Sequence, residues 1–400
     1  MRHGCRPRRL RREAPPPGGL GLTGLAGLAG LAGLAGLAGL AALVGLAGCS
    51  TGGPVAPPMT STARAAVAKS PPPAVADESP DPSETCELPD PARGTAATPL
   101  TDGGGWLDLP TYDGSNQPTH LNVQFDPAGA FGHRNWMTMT PYPFGDDSKE
   151  NPSVLVSDDG LDWRQPEGLE NPVSGPPPDV EAGGHYSDGY LLTRPEGFEL
   201  WFRYNPAKPG AGRPNNSASV LYRMTSPDGI VWSDKQVVFD GGGPSYMSPS
   251  LIAEAGLYRL WYSNYGGELV YTESPDLASW AEPQAVELEL GDGYVPWHQE
   301  IVRTDRGYEA LVLGYKKTAA GATGYALFHT RSDDGLRFDP GRLIDPQAVD
   351  RRLAGHHFYK SSLVKACGAY RLYLAVVSPE GAYKAFYKQV KVEDLATLFG

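Results

Sequence analysis

SDDGLDW occupies residues 157–163, and close relatives of it return as SPDGIVW at 226–232, SPDLASW at 274–280 and SDDGLRF at 332–338. Serine, aspartate and glycine in that order suit a tight turn. The aspartate accepts backbone N–H bonds and the glycine tolerates positive φ. The closing Trp or Phe is expected to pack on the rim of its own sheet. Each copy ends a unit of alternating, aromatic or β-branched runs of strand length, closed by Gly, Asp or Asn. In the third unit these runs are SYMSPSLIAE, GLYRLWYSNY and GGELVYTESPDLASW, between Ser245 and Trp280. The intervals of 48–69 residues between copies, each a small sheet, are the period of a propeller.

Two units look less complete. The first copy closes one of them (THLNVQFD, RNWMTMTPYP, ENPSVLVSDDGLDW), and a fifth unit without a copy ends the chain (FYKSSLV, YRLYLAVVS, YKAFYKQV). The count predicts an all-β fold, a five-bladed β-propeller over 101–400. All 8 tryptophans lie in this stretch, which is long enough for one sizeable domain.

Residues 1–48 have the layout of a signal peptide: a leader rich in arginine, then an uncharged Leu-Ala-Gly run. The end of that run, LAGC at 46–49, resembles a bacterial lipobox. Cys49 would then be the lipidated first residue of the mature protein, on the extracytoplasmic face of the cell membrane. An uncleaved membrane anchor is the alternative, since the run is long enough to span. Residues 49–100 read as a disordered tether rich in Pro, Ala and Ser, which cannot bury enough to repay ordering. Of the 4 cysteines, Cys86 and Cys367 remain once the leader's Cys5 and Cys49 are set aside. Export permits a disulfide between them, and the sequence leaves pairing open. A net charge of −12 argues against nucleic acid as a partner. A monomer is expected.

The innermost strand of each blade lines the axis, and its entry end faces a funnel. Those ends carry Thr119, His120 and Asn122; His185, Tyr186, Ser187 and Asp188; Tyr246, Ser248 and Ser250; Trp297, His298, Gln299 and Glu300; and Tyr359, Lys360, Ser361 and Ser362. Recurrence of ionisable and aromatic groups at one structural position marks a binding site. Asp188 and Glu300 read as an acid/base carboxylate pair, with Glu150 as the rival carboxylate. His120, His185, Tyr246, Trp297, His298 and Lys360 read as substrate-binding groups, and Trp201 as a further stacking face. The bland readings are a turn cap for Asp188 and a salt bridge to Arg303 for Glu300. No cofactor motif or dedicated metal cluster stands out, though a structural divalent cation in the axial channel suits such a propeller.

The stretches ENPSVLVSDDGLDW (150–163), SPSLI (248–252), VPWHQEI (295–301) and YKSSLV (359–364) resemble the five-bladed glycoside hydrolases of families 43, 32, 62 and 68. That resemblance implies a glycan-active hydrolase on an oligo- or polysaccharide, furanose-containing sugars among them. It implies a blade-one Asp as base or nucleophile, a blade-two Asp that tunes the acid, and a blade-three Glu that donates the proton. Asp188 matches the second. Blade one has His120 and Asn122 instead, and blade three has Ser248 and Ser250. The expectation is therefore a glycosidase with a relocated set of Glu150, Asp188 and Glu300, or a lipoprotein that binds glycan without cutting it.

Overall fold

Each heptapeptide closes in the same way. The serine hydroxyl accepts the backbone N–H three residues on, at 2.8 Å from Gly160, Gly229, Leu277 and Gly335. The aspartate carboxylate then accepts two more N–H groups: Leu161 and Asp162 on Asp159, Ile230 and Val231 on Asp228, Ala278 and Ser279 on Asp276, Leu336 and Arg337 on Asp334. The glycines sit at φ 77–82°, and Leu277 takes that place at φ 63°.

The structure, a computed structural model, describes Cys86 and residues 88–240, 247–264, 266–318 and 321–399. The leader, Cys49, most of the tether and Tyr246 lie outside the described residues. The fold is an all-β, five-bladed propeller, with antiparallel neighbours in every blade. Blade I consists of Pro118–Phe125, Asn135–Pro141 and Ser153–Ser157. Blade II consists of His185–Arg194, Gly197–Asn205, Val220–Ser226 and Gln236–Phe239. Blade III consists of Met247–Glu254, Leu257–Ser263, Leu269–Ser274 and Gln284–Ala285. Blade IV consists of Tyr294–Thr304, Gly307–Thr318, Gly321–Ser332 and Arg342–Ile344.

Blade V closes the ring. Its inner strand is broken into His357–Phe358 and Ser362–Ala366, followed by Ala369–Val377 and Tyr383–Lys391. Its outer strand comes from the other end of the chain, Gly104–Leu107, which pairs with Tyr383–Lys391. This closing strand and the short fourth strands of blades II–IV are too short to read as strands in the sequence. The segment before it is also built in. Thr98 and Leu100 are buried, and Cys86 is disulfide-bonded to Cys367 with their Cα atoms 5.6 Å apart.

The apolar core lies between blades. Trp136, Val154 and Val156 of blade I pack with Phe198, Leu200 and Phe202 of blade II. Trp201 and Leu221 of blade II meet Leu251 and Leu260 of blade III. Trp261 and Leu269 of blade III meet Ile301, Tyr308 and Val312 of blade IV, and blades IV, V and I share the largest cluster.

The heptapeptides also serve these seams, while Trp163 and Trp232 donate to the Gly160 and Gly229 carbonyls of their own turns, at 3.1 and 3.0 Å, as expected. A Cβ on Gly229 of blade II would run into the Trp136 ring of blade I, and one on Gly335 of blade IV would stand 2.9 Å from Trp261 of blade III. Trp280 of blade III donates its indole N–H to the Val238 carbonyl of blade II at 2.8 Å. Polar ties cross the same seams. Tyr258 donates to Glu199 at 2.8 Å and Tyr370 to Glu309 at 2.7 Å.

Two outcomes test this framework. Gly229→Ala puts a methyl group into Trp136 at a left-handed φ, so it should lower stability by about 1–3 kcal/mol in denaturant unfolding. Burial alone would raise the Glu309 pKa, but hydrogen bonds from His329, Lys365 and Tyr370 pull it down to about 2. A depressed carboxylate contributes stability above its unfolded pKa, and that contribution is lost as pH falls toward the folded value. Glu309→Gln should therefore be less stable than wild type at neutral pH, and its unfolding free energy should vary less between pH ~5 and ~2.

Candidate functional site

The inner strands superpose in sequence as THLNV (119–123), SDGYL (187–191), MSPSL (247–251), WHQEI (297–301) and YKSSL (359–363). The second position of each gives one ring: His120, Asp188, Ser248, His298 and Lys360, all 2 % exposed or less. The fourth position gives a ring one layer along the axis: Asn122, Tyr190, Ser250, Glu300 and Ser362, all 3 % exposed or less. Contacts between non-adjacent blades place both rings on the axis. Asp188 of blade II meets His298 of blade IV at 3.3 Å, and Asn122 of blade I donates to Glu300 of blade IV at 3.1 Å.

Local backbone irregularity aims the first ring. His120, Asp188 and Ser248 have φ of 51°, 55° and 51°. The register with the second strand shifts beside each of them, and again beside His298. Left-handed non-glycine residues cost roughly 1–3 kcal/mol each and persist only where the surroundings over-determine them. Three of them at one equivalent position mark this layer as the specialised one.

Asp188 is the hub. One carboxylate oxygen lies 3.3 Å from His120 Nε2 and 3.3 Å from His298 Nδ1, and accepts from Ser248 Oγ at 3.2 Å. The other meets Arg203 Nε at 3.0 Å. Burial would raise its pKa, but Arg203, His120 and His298 hold it well below the usual carboxylate range. Burial lowers both imidazoles, which keeps them neutral with a lone pair to give. His120 Nδ1 faces Thr140 Oγ1 at 3.0 Å and Glu150 Oε1 at 3.3 Å. His298 Nε2 is buried with no hydrogen-bond partner among the described residues.

This donor set fits a divalent transition metal. Ligand atoms of His120, Asp188 and His298 lie within 4.8 Å of one another. Two ligands at about 2.0–2.1 Å from one ion in tetrahedral array stand about 3.3–3.4 Å apart, close to the 3.3 Å from Asp188 to His120 Nε2. Two neutral imidazoles and one ionised carboxylate also suit zinc, iron or manganese better than an all-oxygen calcium site. The cluster was not legible as a set, because its members are 68 and 110 residues apart and only the ring brings them together.

The other candidates fall into place around it. Glu150 is buried against His120, and burial with nearby Asp147 and Asp188 pushes its pKa well above the ordinary value. Glu300 belongs to the second ring, where Ser362 donates to it at 2.7 Å; burial moves its pKa up to about 7. It makes no salt bridge to Arg303, which pairs with Glu254 instead. Asp188 caps no turn. Lys360 donates to the Gly189 carbonyl at 3.1 Å, and its pKa is lowered by burial against the pull of Glu300 and Asp188. His185 sits at the start of the same strand as Asp188, bonded to Asn205 at 3.0 Å and outside the cluster. Trp297 is half-buried, its ring stacked on His298, and Tyr142, Tyr359 and Tyr383 continue this aromatic collar. Trp201 is fully buried and offers no face to a ligand. Arg203 escaped the sequence reading, although a charged residue inside the buried aromatic strand GFELWFRYN was its signal.

No protein-family model matches the chain. It is 25 % identical over 298 residues to the A type blood N-acetyl-alpha-D-galactosamine deacetylase of Flavonifractor plautii. That match spans 62 % of this chain and 38 % of the relative, well under half of the relative's length. The crystal structure of an N-acetylgalactosamine deacetylase from F. plautii, in complex with blood group B trisaccharide, shares the fold. It has a TM-score of 0.60 and 20 % identity, over 74 % of this chain and 96 % of that one. An exo-1,5-alpha-L-arabinanase from a bovine ruminal metagenomic library superposes at a TM-score of 0.47 and 15 % identity, over 74 % and 94 % of the two chains.

These findings overturn the expectation of a paired-carboxylate glycosidase. The curated relative is a deacetylase, and Asp188 is one corner of a His/Asp cluster of metal-binding type. Glu300 is tied into the layer beyond. The expected axial cation has a candidate place in this cluster, whose three side chains could hold a metal ion.

Removing the Asp188 charge leaves Arg203 buried without its counter-ion. Asp188→Asn should cost about 3–5 kcal/mol in denaturant unfolding, as loss of one partner of a buried pair does. Glu300→Gln keeps the second ring's hydrogen-bonding atoms and should cost under about 1.5 kcal/mol. Equal losses for the two would refute the hub role given to Asp188.

Proposed function

We propose that this protein is a metal-assisted N-deacetylase of N-acetylated sugars. The observation that carries the reading is the buried His120–Asp188–His298 cluster at the axis, with aromatic rings packed beside it. The similarity to a deacetylase acting on N-acetyl-alpha-D-galactosamine supports a hexosamine acetamide as the substrate class.

In the reaction water adds to the acetyl carbonyl carbon, the C–N bond breaks, the sugar nitrogen takes a proton, and acetate and the free amine leave. A divalent ion held by His120, Asp188 and His298 would supply Lewis-acid polarisation of that carbonyl and acidify water. The chain's own groups do the rest. Arg203 keeps Asp188 ionised, and so able to act as a ligand. Ser248 and Thr140 orient His298 and His120 through the ring nitrogens they touch, as outer partners of metal-binding histidines do. We assign to Glu150, a buried carboxylate with one oxygen near His120 and a raised pKa, the transfer of the proton from water to the leaving nitrogen. Trp297, Tyr142, Tyr359 and Tyr383 offer ring faces to the sugar and exclude bulk water. Lys360, buried in the same ring, is tied to the Gly189 carbonyl.

We place this activity outside the cytoplasm, lipid-anchored through Cys49. The Cys86–Cys367 disulfide supports an oxidising compartment, and the leader supports export.

The test is acetate release from a panel of N-acetylhexosaminides, with metal content measured on the same preparation. We expect acetate and free amine with the glycosidic bond intact, loss of activity with a chelator, and recovery on adding zinc or manganese. Glu150→Gln should lower kcat about 10²–10⁴-fold while the protein still binds metal. If no member of the panel releases acetate in the presence of any of these metals, the proposal is wrong.

A further inference from the structure

The second strands of blades II–V align as GFELW (197–201), GLYRLW (256–261), GYEAL (307–311) and GAYRLY (368–373). One register position in them always carries a charge: Glu199, Arg259, Glu309 and Arg371. These side chains face the seams between blades. The first three are compensated. Glu199 takes Arg223 Nε and Nη2 on its two oxygens, each at 2.9 Å. Arg259 pairs with Glu254 at 3.4 Å. Glu309 holds His329 and Lys365, each at 2.9 Å.

Arg371 has no carboxylate partner among the described residues, although it is only 1 % exposed. Its guanidinium lies over the Phe125 ring at 4.1 Å, and Nη1 donates to Asn135 Oδ1 of blade I at 3.0 Å. Nε and Nη2 are buried without partners among the described residues. These two N–H groups leave one edge of the planar guanidinium in parallel. It is the edge that grips an oxyanion or other anion with two bonds, as Arg223 grips Glu199. The hydroxyl of Tyr373 beside it is also buried and unpaired. A Cβ on Gly160 would stand 2.6 Å from that hydroxyl and 3.0 Å from Arg371 Nη1.

A guanidinium keeps its charge, and an uncompensated buried charge is strongly unfavourable. A water molecule would satisfy the N–H groups but leave the charge. With Arg371 only 1 % exposed, an ion bound there must be small. We propose that Arg371 binds a halide-sized monovalent anion, chloride under native conditions, on its Nε–Nη2 edge at the seam where blade V closes onto blade I. The anion plays for Arg371 the part that Glu254 plays for Arg259 in blade III, and it is independent of the axial site.

The test is thermal unfolding of the full chain in chloride, bromide or gluconate at constant ionic strength, with diffraction from crystals grown in bromide. A halide that binds only the folded state should raise Tm by about 2–4 °C with saturation as its concentration rises from zero. Bromide should give an anomalous peak within hydrogen-bond distance of Arg371 Nε and Nη2. Arg371→Gln should remove both effects. Asn135→Asp brings a carboxylate onto the same guanidinium and should weaken the halide dependence while Arg371 stays in place. The wild-type measurements decide the matter even if neither variant folds. A Tm indifferent to halide, or density at that edge without anomalous signal, which is the signature of a water, would overturn the proposal.

Discussion

A carboxylate with no exposure to solvent, at the point where five blades meet, is the constraint around which this molecule is organised. Asp188 can be ionised there only because Arg203 reaches it from the neighbouring strand of its own blade, and because two imidazoles and a serine hydroxyl arrive from three others. Each of those groups needs a strand end bent out of regular register to reach the axis. The left-handed backbone at His120, Asp188 and Ser248 follows from that demand. Burial then acts on the whole set in one direction: it keeps the histidines neutral, while the arginine keeps the aspartate charged.

Such strain persists only if the blades cannot slide. The heptapeptide turns supply this rigidity from the far end of each sheet. The turn's hydrogen bonds fix the glycine in the one conformation that lets the preceding blade's aromatic ring lie against it. The same seams carry tyrosine-to-carboxylate bonds and, at the closing seam, the Arg371–Asn135 bond. Ring closure itself is shared between the outer strand Gly104–Leu107 and the Cys86–Cys367 disulfide, so both ends of the domain are held in blade V.

Much of this was legible. Four copies of a turn motif, separated by strand-length aromatic runs, leave few folds open, and five blades with their inner strands follow from the phase of the repeat. Because those inner strands were in phase, His120, Asp188, His298, Glu300 and Lys360 could be named as axial residues. The chemistry assigned to them went astray. Reading for carboxylate pairs joined Asp188 to Glu300, which belong to successive layers, and took the histidines on either side of Asp188 as substrate-binding groups. The alternation of a strand fixes which residues face the axis, but it does not say which blade lies opposite which. Arg203 and the closing strand were missed for related reasons: one partner sits on a second strand, and the other is four residues long at the far end of the chain.

The sequence by itself determined the fold class, the blade count and the polar rings, because these rest on local periodicity and turn chemistry that act within a few residues. The tertiary structure alone decided that His120, Asp188 and His298 form one cluster, that Cys86 meets Cys367, and that Arg371 has no carboxylate partner among the described residues. Those facts depend on closure of the ring, which brings together residues far apart in sequence. No local pattern carries that distance.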